Sequence, residues 1–213
     1  MSKPILLDGF CRGGGTGMGY HIAGFDVIGV DIAPQPRYPF AFIQSDFFDL
    51  SLDYLRQFDA IHCSPHCQKE GKTKHLASDY PKQIEAVRKR LQVTGKPYII
   101  ENVPGSSLVN PVVLNGFMFN MRIERERWFE CSGFEVPFFL LPPRPKRSVK
   151  MGRPIHEGDI IQPVGHFSNV PYAQREMGID WLGQKDLAQA IPPAYTAFIG
   201  RYLIERLAQL KAS

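Results

Sequence analysis

Short apolar runs alternate with helical or glycine-rich segments through the first half of the chain, which is typical of βαβ units. The apolar runs predict five strands, at residues 4–10, 26–32, 40–46, 58–65 and 96–105. Residues 13–25 predict a glycine-rich turn that leads into a short helix, and residues 79–95 predict an amphipathic helix that ends at its glycine. We therefore expect an α/β fold in which helices flank a mostly parallel sheet.

The pattern changes in the second half. Residues 112–120 and 122–134 predict further strands, whereas residues 135–172 are rich in proline and glycine and show weak periodicity. Residues 193–210 predict a helix, because apolar side chains recur on one of its faces.

These changes suggest a domain organisation. We expect one main domain formed by residues 1–130 and 174–213, with the C-terminal helix packed back onto it. Residues 131–173 would form a small irregular insertion.

Composition adds constraints on location. The chain has 213 residues, and its net charge of +4 is too mild to indicate a nucleic-acid partner by itself. Met1–Lys3 leads into a short apolar run that soon meets Asp8, so we expect no signal peptide. No apolar run approaches the roughly 20 residues that a membrane span needs. We expect a monomeric cytoplasmic protein without disulfides.

Four of the predicted strands end in an acidic residue: Asp8, Asp31, Asp46 and Glu101. Ligands of open parallel sheets bind beyond the carboxyl ends of the strands, and the glycines after the first strand would let the backbone approach a ligand. Asp31 is placed to accept hydrogen bonds from a ribose diol and Asp46 from an exocyclic amine, which indicates an adenosine-containing ligand. Each acid alone is equally consistent with a helix cap or a solvent-facing side chain. The glycine spacing, which is not G-x-G-x-x-G directly after the strand, argues against NAD.

The stretch HCSPHCQ, residues 62–68, allows a disulfide, a zinc site, buried inert thiols or one reactive thiol. A reducing compartment disfavours the disulfide, and no second Cys or His pair follows at a spacing that zinc would need. A buried inert thiol suits the cysteines other than Cys67. Cys67 lies beyond the strand and beyond Pro65, where a thiol would face the pocket. With Glu101 at the end of the neighbouring strand, Cys67 is the candidate nucleophile.

The order of these motifs resembles that of the DNA cytosine-5 methyltransferase family. The S-adenosylmethionine turn of that family is similar to LLDGFCRGGGTGMGYHIAGF, and its next two cofactor contacts are similar to Asp31 and SDF. Its nucleophile, glutamate and paired-arginine motifs resemble SPHCQ, ENV and RERWF in turn. Its final motif, which completes the cofactor pocket, resembles AQAIPPAYTAFIGRYL. The matches run in family order from residue 5 to about residue 205.

The resemblance implies a Rossmann-like S-adenosylmethionine-dependent methyltransferase fold with a mixed, mostly parallel sheet. It implies S-adenosyl-L-methionine as the cofactor, S-adenosyl-L-homocysteine as the product, and no metal. The catalytic residues that it implies are Cys67, Glu101, Arg125 and Arg127. The cofactor contacts that we assign are Asp8, Phe10, Gly13, Gly14, Gly15, Asp31, Ile32, Asp46, Phe47, Pro65, Gln189 and Ala190. The substrate contacts that we assign are Gln68, Lys72, Asn102, Val103, Arg144, Lys146, Arg147 and Lys150.

The chain departs from the family pattern at several positions. Arg12 stands where the first motif usually has glycine, and His66 replaces the second proline before the nucleophile. Lys69–Glu70 replaces a small and an aromatic residue, Ile123 replaces a glutamine, and Gln189 replaces an asparagine. These changes concern loop closure and base contacts but leave the nucleophile in place.

The implied reaction is methyl transfer to C5 of cytosine in duplex DNA with a flipped base, or in single-stranded DNA. Residues 68–79 would form a lid over the nucleotide. Only about sixty residues separate the arginine motif from the final motif, so we expect weak or short-site specificity, as in compact enzymes of the kind that bacteriophages carry. Three alternatives stay open: a methyltransferase of free cytosine nucleotides, a non-catalytic protein that binds S-adenosylmethionine or DNA, and a zinc-stabilised nucleic-acid binder.

Overall fold

The computed structural model describes residues 2–65, 80–137, 148–149 and 153–212, with backbone alone for residues 80–82. The strands in the described part are β1 (Ile5–Gly9), β2 (Asp26–Asp31), β3 (Ala41–Gln44), β4 (Ala60–Cys63), β5 (Tyr98–Asn102), β6 (Val112–Leu114) and β7 (Arg127–Ser132). The helices there are α1 (Gly15–Ala23), α2 (Leu52–Leu55), α3 (Tyr80–Thr94), α4 (Val170–Met177), α5 (Gln184–Leu187) and α6 (Pro193–Ala212). No helix among the described residues has the length and apolar character that crossing a membrane requires.

The seven strands form one sheet in the order β3-β2-β1-β4-β5-β7-β6. Strands β1 to β5 are parallel to one another, and β7 pairs with β5 and β6 in the antiparallel sense. The expectation of a mixed, mostly parallel sheet flanked by helices is confirmed. The order reverses between β1 and β4, because the chain builds β2 and β3 on one side of β1 and then returns to the other side. A reversal of this kind leaves a crevice at the carboxyl ends of the two strands.

Neighbouring residues of the central strands face opposite sides of the sheet, as the pleat requires. Leu6 and Ile99 belong to the core between the sheet and helices α1 and α6. Leu7 and Ile100, the next residues along, belong to the core beneath α3. All four side chains are fully buried, which explains why these strands are continuous apolar runs rather than alternating patterns.

The C-terminal helix α6 packs against α1, where the Thr196 hydroxyl donates to the Thr16 carbonyl at 2.8 Å. A third core joins residues before α4 to α4, α5 and the segment that follows them. Its buried members are Ile123, Ile161, Phe167, Tyr172, Ala173, Met177, Ile179, Leu182, Leu187 and Ala190. The expected boundary between residues 173 and 174 falls inside α4, so the described part of the insertion shares this core with the C-terminal part of the chain.

The predicted strand at residues 112–120 is wrong beyond Leu114. A 3-10 turn occupies Gly116–Phe119 instead, and Asn120 ends it in the left-handed conformation with a φ of 56°. A Cβ at Gly116 would lie 2.3 Å from the carbonyl oxygen of Ile123. This close approach of two backbones requires glycine, and the turn brings the chain back to form β7.

Candidate active site

A cavity of about 400 Å³ opens at the point where the strand order reverses. Its walls are the loop after β1, the loop after β4, the end of β5 and the segments 164–165 and 188–191. The predicted site residues that line it are Phe10, Gly13, Gly14, Gly15, Pro65, Glu101, Asn102, Val103, Arg127, Gln189 and Ala190. Residues from five separate parts of the chain therefore meet where the sequence predicts a ligand.

The loop after β1 has an unusual backbone conformation. Phe10 and Arg12 are not glycines, yet their φ angles are 58° and 44°. The loop is held by two hydrogen bonds to β2, from the Cys11 amide to the Val30 carbonyl at 3.1 Å and from the Arg12 amide to Asp31 Oδ2 at 3.1 Å. A strained backbone that the surrounding structure holds in place is common at ligand sites.

Two of the predicted cofactor contacts, Asp31 and Asp8, are buried within the protein and do not line the cavity. Asp31 is nearly fully buried, and its carboxylate accepts from the amides of Arg12 and Ala33. Asp8 is completely buried and accepts from the Tyr38 hydroxyl at 3.0 Å. Burial raises the pKa of Asp8 to about 8, and the charge of Asp31 adds to the rise.

The other predicted cofactor contacts outside the cavity walls are Asp46, Phe47 and Ile32. Asp46 caps the 3-10 turn Phe47–Asp49 by accepting from the Phe48 amide at 2.9 Å, so the alternative of a helix cap applies to it. The Phe47 ring is buried and lies 5.4 Å from the ring of Phe10. Ile32, in contrast, is 63% exposed directly after β2. An exposed isoleucine at a strand end offers an apolar surface to a ligand ring.

Glu101 and Arg127 form a buried ion pair that faces the cavity. Arg127 Nε lies 3.2 Å from Glu101 Oε1, and the two side chains are 15% and 7% exposed. Burial raises the pKa of Glu101. The opposing influences, which lower it, come first from Arg127, then from a hydrogen bond with Ser64, and then from Arg125 and Arg12.

Arg125, the other predicted arginine, does not line the cavity. Its Nη1 donates to the Pro163 carbonyl at 2.9 Å and its Nη2 to the Ala188 carbonyl at 3.0 Å. Arg125, which lies just before β7, thereby connects this part of the chain to the residue that precedes the segment 164–165 and to the first residue of the segment 188–191. The structure brings Arg127 to Glu101 and gives Arg125 contacts with the protein backbone.

Asn102 connects the end of β5 to the loop that leads toward Cys67. Its Nδ2 donates to the Pro65 carbonyl at 3.0 Å, and its Oδ1 accepts from the Val103 amide at 2.9 Å. Pro65 precedes Cys67 by two residues. Several predicted site residues lie outside the described residues: Cys67, Gln68, Lys72, Arg144, Lys146, Arg147 and Lys150, together with the predicted lid at 68–79.

The three described cysteines have the features of unreactive thiols. Burial raises the pKa of Cys11, Cys63 and Cys131, and a protonated thiol is a poor nucleophile. Within the described residues, no three His, Cys, Asp or Glu side chains come close enough together to hold a metal ion. His66 and Cys67 lie outside that part of the chain.

The sequence patterns missed several contributors to the cavity. Trp181 Nε1 donates to the Gly13 carbonyl at 2.8 Å, across 168 residues of sequence. Val164 and Gly165 line the cavity from within the expected insertion, and Ser64 lines it directly after β4. No periodicity signals these contacts, although Trp181 is one of only two tryptophans in the chain.

No protein-family model matches the sequence, and no curated protein matches it. The fold is similar to three solved structures, each 14% identical to this chain. One is a prophage-encoded protein of E. coli described as a proposed DNA modification methyltransferase; its TM-score is 0.64, and the match covers 96% of this chain and 99% of that one. The Dnmt2 methyltransferase of S. pombe has a TM-score of 0.62 over the same shares of the two chains. The methyltransferase EhMeth of Entamoeba histolytica has a TM-score of 0.60 over 97% of this chain and 99% of its own. The chain has the Rossmann-like fold of S-adenosylmethionine-dependent methyltransferases.

Proposed function

We propose that this protein is an S-adenosylmethionine-dependent DNA cytosine-5 methyltransferase that uses Cys67 as its nucleophile. The observation that carries the proposal is the buried Glu101–Arg127 pair on the wall of the cavity, next to the loop after β1 and the Pro65 segment. The fold adds support, since one similar structure is described as a proposed DNA modification methyltransferase.

The residues around the cavity fit S-adenosylmethionine. A volume of about 400 Å³ is within the range of small-molecule sites. Gly15 and Thr16, the first residues of α1, line the cavity, and a helix N-terminus favours a carboxylate such as that of the methionine moiety. Exposed Ile32 would contact the adenine. The buried carboxylate of Asp31 holds the loop after β1 through the Arg12 amide, and this would fix the position of the loop beside the ribose. When bound, S-adenosylmethionine supplies the electrophilic methyl group that C5 of the base takes up.

In the reaction that we propose, the Cys67 thiolate adds to C6 of cytosine, and N3 gains the electron density that this addition releases. Glu101 donates a proton to N3, which requires a carboxyl group that stays protonated near neutral pH. The raised pKa of buried Glu101 supports this role. After C5 is methylated, its proton passes to a water molecule, and the electron pair of that C–H bond forms the C5–C6 double bond as the thiolate leaves C6. The N3 proton then returns to Glu101.

Arg127 has two tasks in this scheme. Its guanidinium holds Glu101 through Nε, and its other nitrogens can donate to O2 of the base. One of them, Nη1, already donates to the Glu126 carbonyl at 2.8 Å, which fixes the orientation of the group. Arg125 supports the cavity from behind by holding the carbonyls of Pro163 and Ala188.

A second candidate is methylation of free cytosine nucleotides. The described part of the segment between β7 and α4 buries Ile161 and Phe167 in the third core, so these residues are not available for reading DNA. A small recognition surface is compatible with a small substrate. We rank DNA first because base flipping delivers the same cytosine ring to the same cavity.

The deciding assay combines tritiated S-adenosylmethionine with duplex DNA, single-stranded DNA or dCMP. We expect label in DNA with the wild-type protein and with Cys131→Ser, a control at a partly buried cysteine. We expect no label with Cys67→Ser. Label only in dCMP would favour the second candidate, and cofactor binding without transfer to any substrate would favour a non-catalytic binding protein.

The covalent step has its own test. DNA that contains 5-fluorocytosine should trap the protein, because fluorine at C5 cannot leave as the proton does. We expect a complex that survives denaturation, forms with wild type and fails to form with Cys67→Ser. Methyl transfer without any trapped complex would contradict the nucleophilic mechanism.

A further inference from the structure

Four side chains form a continuous hydrogen-bonded chain that ends at Glu101. The Tyr20 hydroxyl lies 2.9 Å from His62 Nδ1, and His62 Nε2 lies 3.0 Å from the Ser64 hydroxyl. Ser64 in turn hydrogen-bonds the Glu101 carboxyl group. Tyr20 comes from α1, His62 from β4 and Glu101 from β5, so the chain joins three elements beneath the cavity.

The directions of the hydrogen bonds follow from the carboxylate end. An ionised Glu101 can only accept, so Ser64 donates to it and the Ser64 oxygen accepts from His62 Nε2. Burial raises the pKa of Tyr20 well above its usual range, so its hydroxyl keeps its proton and is available as a donor. Burial lowers the pKa of His62 to about 3, so the ring is neutral and carries one N–H. Because Nε2 donates to Ser64, that hydrogen is on Nε2, and Nδ1 accepts from the Tyr20 hydroxyl. The Ser64 hydroxyl is then free to donate to Glu101.

We propose that Tyr20 and His62 are positioning residues that orient the Ser64 hydroxyl toward Glu101 and thereby control how readily Glu101 takes up and releases a proton. His62 and Tyr20 are fully buried and do not line the cavity, so they act through Ser64 rather than on a ligand. This role rests on the proposed function only in giving Glu101 a proton to transfer.

Other charged or titratable groups also act on these residues. Glu101 faces Arg127 from β7, with Arg125 and Arg12 at longer range, and all three arginines favour its ionised form. Tyr20 is near Asp8, Cys131 and Glu101. The arginines remain in place when Tyr20 or Ser64 is changed, so a response of Glu101 to those changes reports the hydrogen-bonded chain.

The test is a pH titration of the Glu101 carboxyl carbon by NMR in the full-length protein labelled with ¹³C-glutamate. Glu101→Gln identifies the signal by its absence. We expect Ser64→Ala to move the Glu101 midpoint to higher pH, because the ionised carboxylate loses a donor. We expect Tyr20→Phe, which does not touch Glu101, to move it in the same direction, since Ser64 can then turn toward His62.

The double variant decides whether the residues act as one chain. We expect Tyr20→Phe combined with Ser64→Ala to have the same midpoint as Ser64→Ala alone. The ¹⁵N signals of His62 should show the Nε2–H tautomer in wild type and lose that preference in Tyr20→Phe. Tyr172→Phe removes another buried tyrosine hydroxyl, which donates to the Asp159 carbonyl, and should leave Glu101 unchanged.

The proposal would be overturned if the Glu101 midpoint in Tyr20→Phe equals that of wild type. It would also be overturned if the shifts caused by Tyr20→Phe and Ser64→Ala add in the double variant. Neither readout requires methyl transfer. A protein that proves inactive on every substrate would therefore contradict the proposed function and leave this result intact.

Discussion

Arg127 Nε and Glu101 Oε1 lie 3.2 Å apart on two antiparallel strands, in an ion pair that is almost completely buried yet reaches the cavity wall. A second ion pair, between Arg88 of α3 and Glu130 of β7, makes a useful contrast. Arg88 holds Glu130 through two hydrogen bonds of 2.7 Å, and neither residue lines the cavity. Both ion pairs are largely buried, but only Glu101 and Arg127 lie on the cavity wall. A comparison of variants at the two pairs therefore distinguishes the effect of burial from the effect of position at the site.

Glu101→Gln should reduce kcat for methyl transfer on the order of 10²- to 10⁴-fold, because the amide cannot donate a proton to N3 and take it back. The affinity for S-adenosylhomocysteine, measured by calorimetry, should stay within about twofold on the same argument that only a transition-state contact is lost. Glu130→Gln is the matched control, since it changes a buried, paired glutamate outside the cavity. Equal losses of activity in the two variants would argue against a catalytic Glu101.

Asn102 should be important for stability because it connects two loops at the site. Asn102→Ala leaves the Pro65 carbonyl and the Val103 amide without this partner, and we expect a loss of about 1–3 kcal/mol in the free energy of unfolding. Asn102→Asp should be worse at pH 8, because a carboxylate cannot donate to a carbonyl oxygen. Urea unfolding of the three proteins measures this, and an Asp variant more stable than the Ala variant would contradict the proposed contact.

Asp8 should make stability depend on pH. Its pKa is about 8 in the folded protein, whereas an unfolded aspartate titrates near 4, so between these values the folded state holds a proton that the unfolded state has lost. The contribution of Asp8 to stability should therefore fall as pH rises from about 4 to about 8, by up to about 1.4 kcal/mol per pH unit, and level off above that. Buried His62, whose pKa is lowered to about 3, acts in the opposite sense, but it is present in both wild type and an Asp8 variant and cancels in the difference between them.

Urea unfolding across this pH range in wild type and Asp8→Asn isolates the contribution of this carboxyl group. We expect the free energy of unfolding to fall less with rising pH in Asp8→Asn than in wild type, because the amide does not titrate. Asp26→Asn, at an exposed aspartate, should retain the wild-type slope. Equal slopes in wild type and Asp8→Asn would show that Asp8 is ionised in the folded protein.

Substitutions at Arg12 can distinguish the effect of backbone strain on stability from the effect of the side-chain charge. With a φ of 44°, a non-glycine residue at this position is strained by about 1–2 kcal/mol. Arg12→Gly should be more stable to urea than Arg12→Ala by about 1 kcal/mol, after the greater chain entropy of glycine is subtracted. Both variants lose the guanidinium, so the difference between them reports the backbone alone. Equal stability would mean that the loop relaxes around residue 12.

Local sequence was sufficient for much of the sheet and for part of the site. Leu6, Leu7, Ile99 and Ile100 are consecutive apolar pairs, and buried parallel strands produce such pairs because both faces are covered. Glu101 was predicted as a site residue because it stands at the end of such an apolar run, and the structure places it on the cavity wall. The turn at Gly116 was missed, since its cause is contact with the Ile123 backbone rather than any local preference.

The sequence by itself determined the order of the elements, the mostly parallel sheet and the acids at its strand ends. These features follow from periodicity and from the position of polar residues along single elements. Only the tertiary structure decided that Arg127 faces Glu101 while Arg125 holds Pro163 and Ala188, although the two arginines are two residues apart. It also decided that His62 joins Tyr20 to Ser64, because hydrogen bonds between side chains on different elements depend on packing that no local pattern encodes.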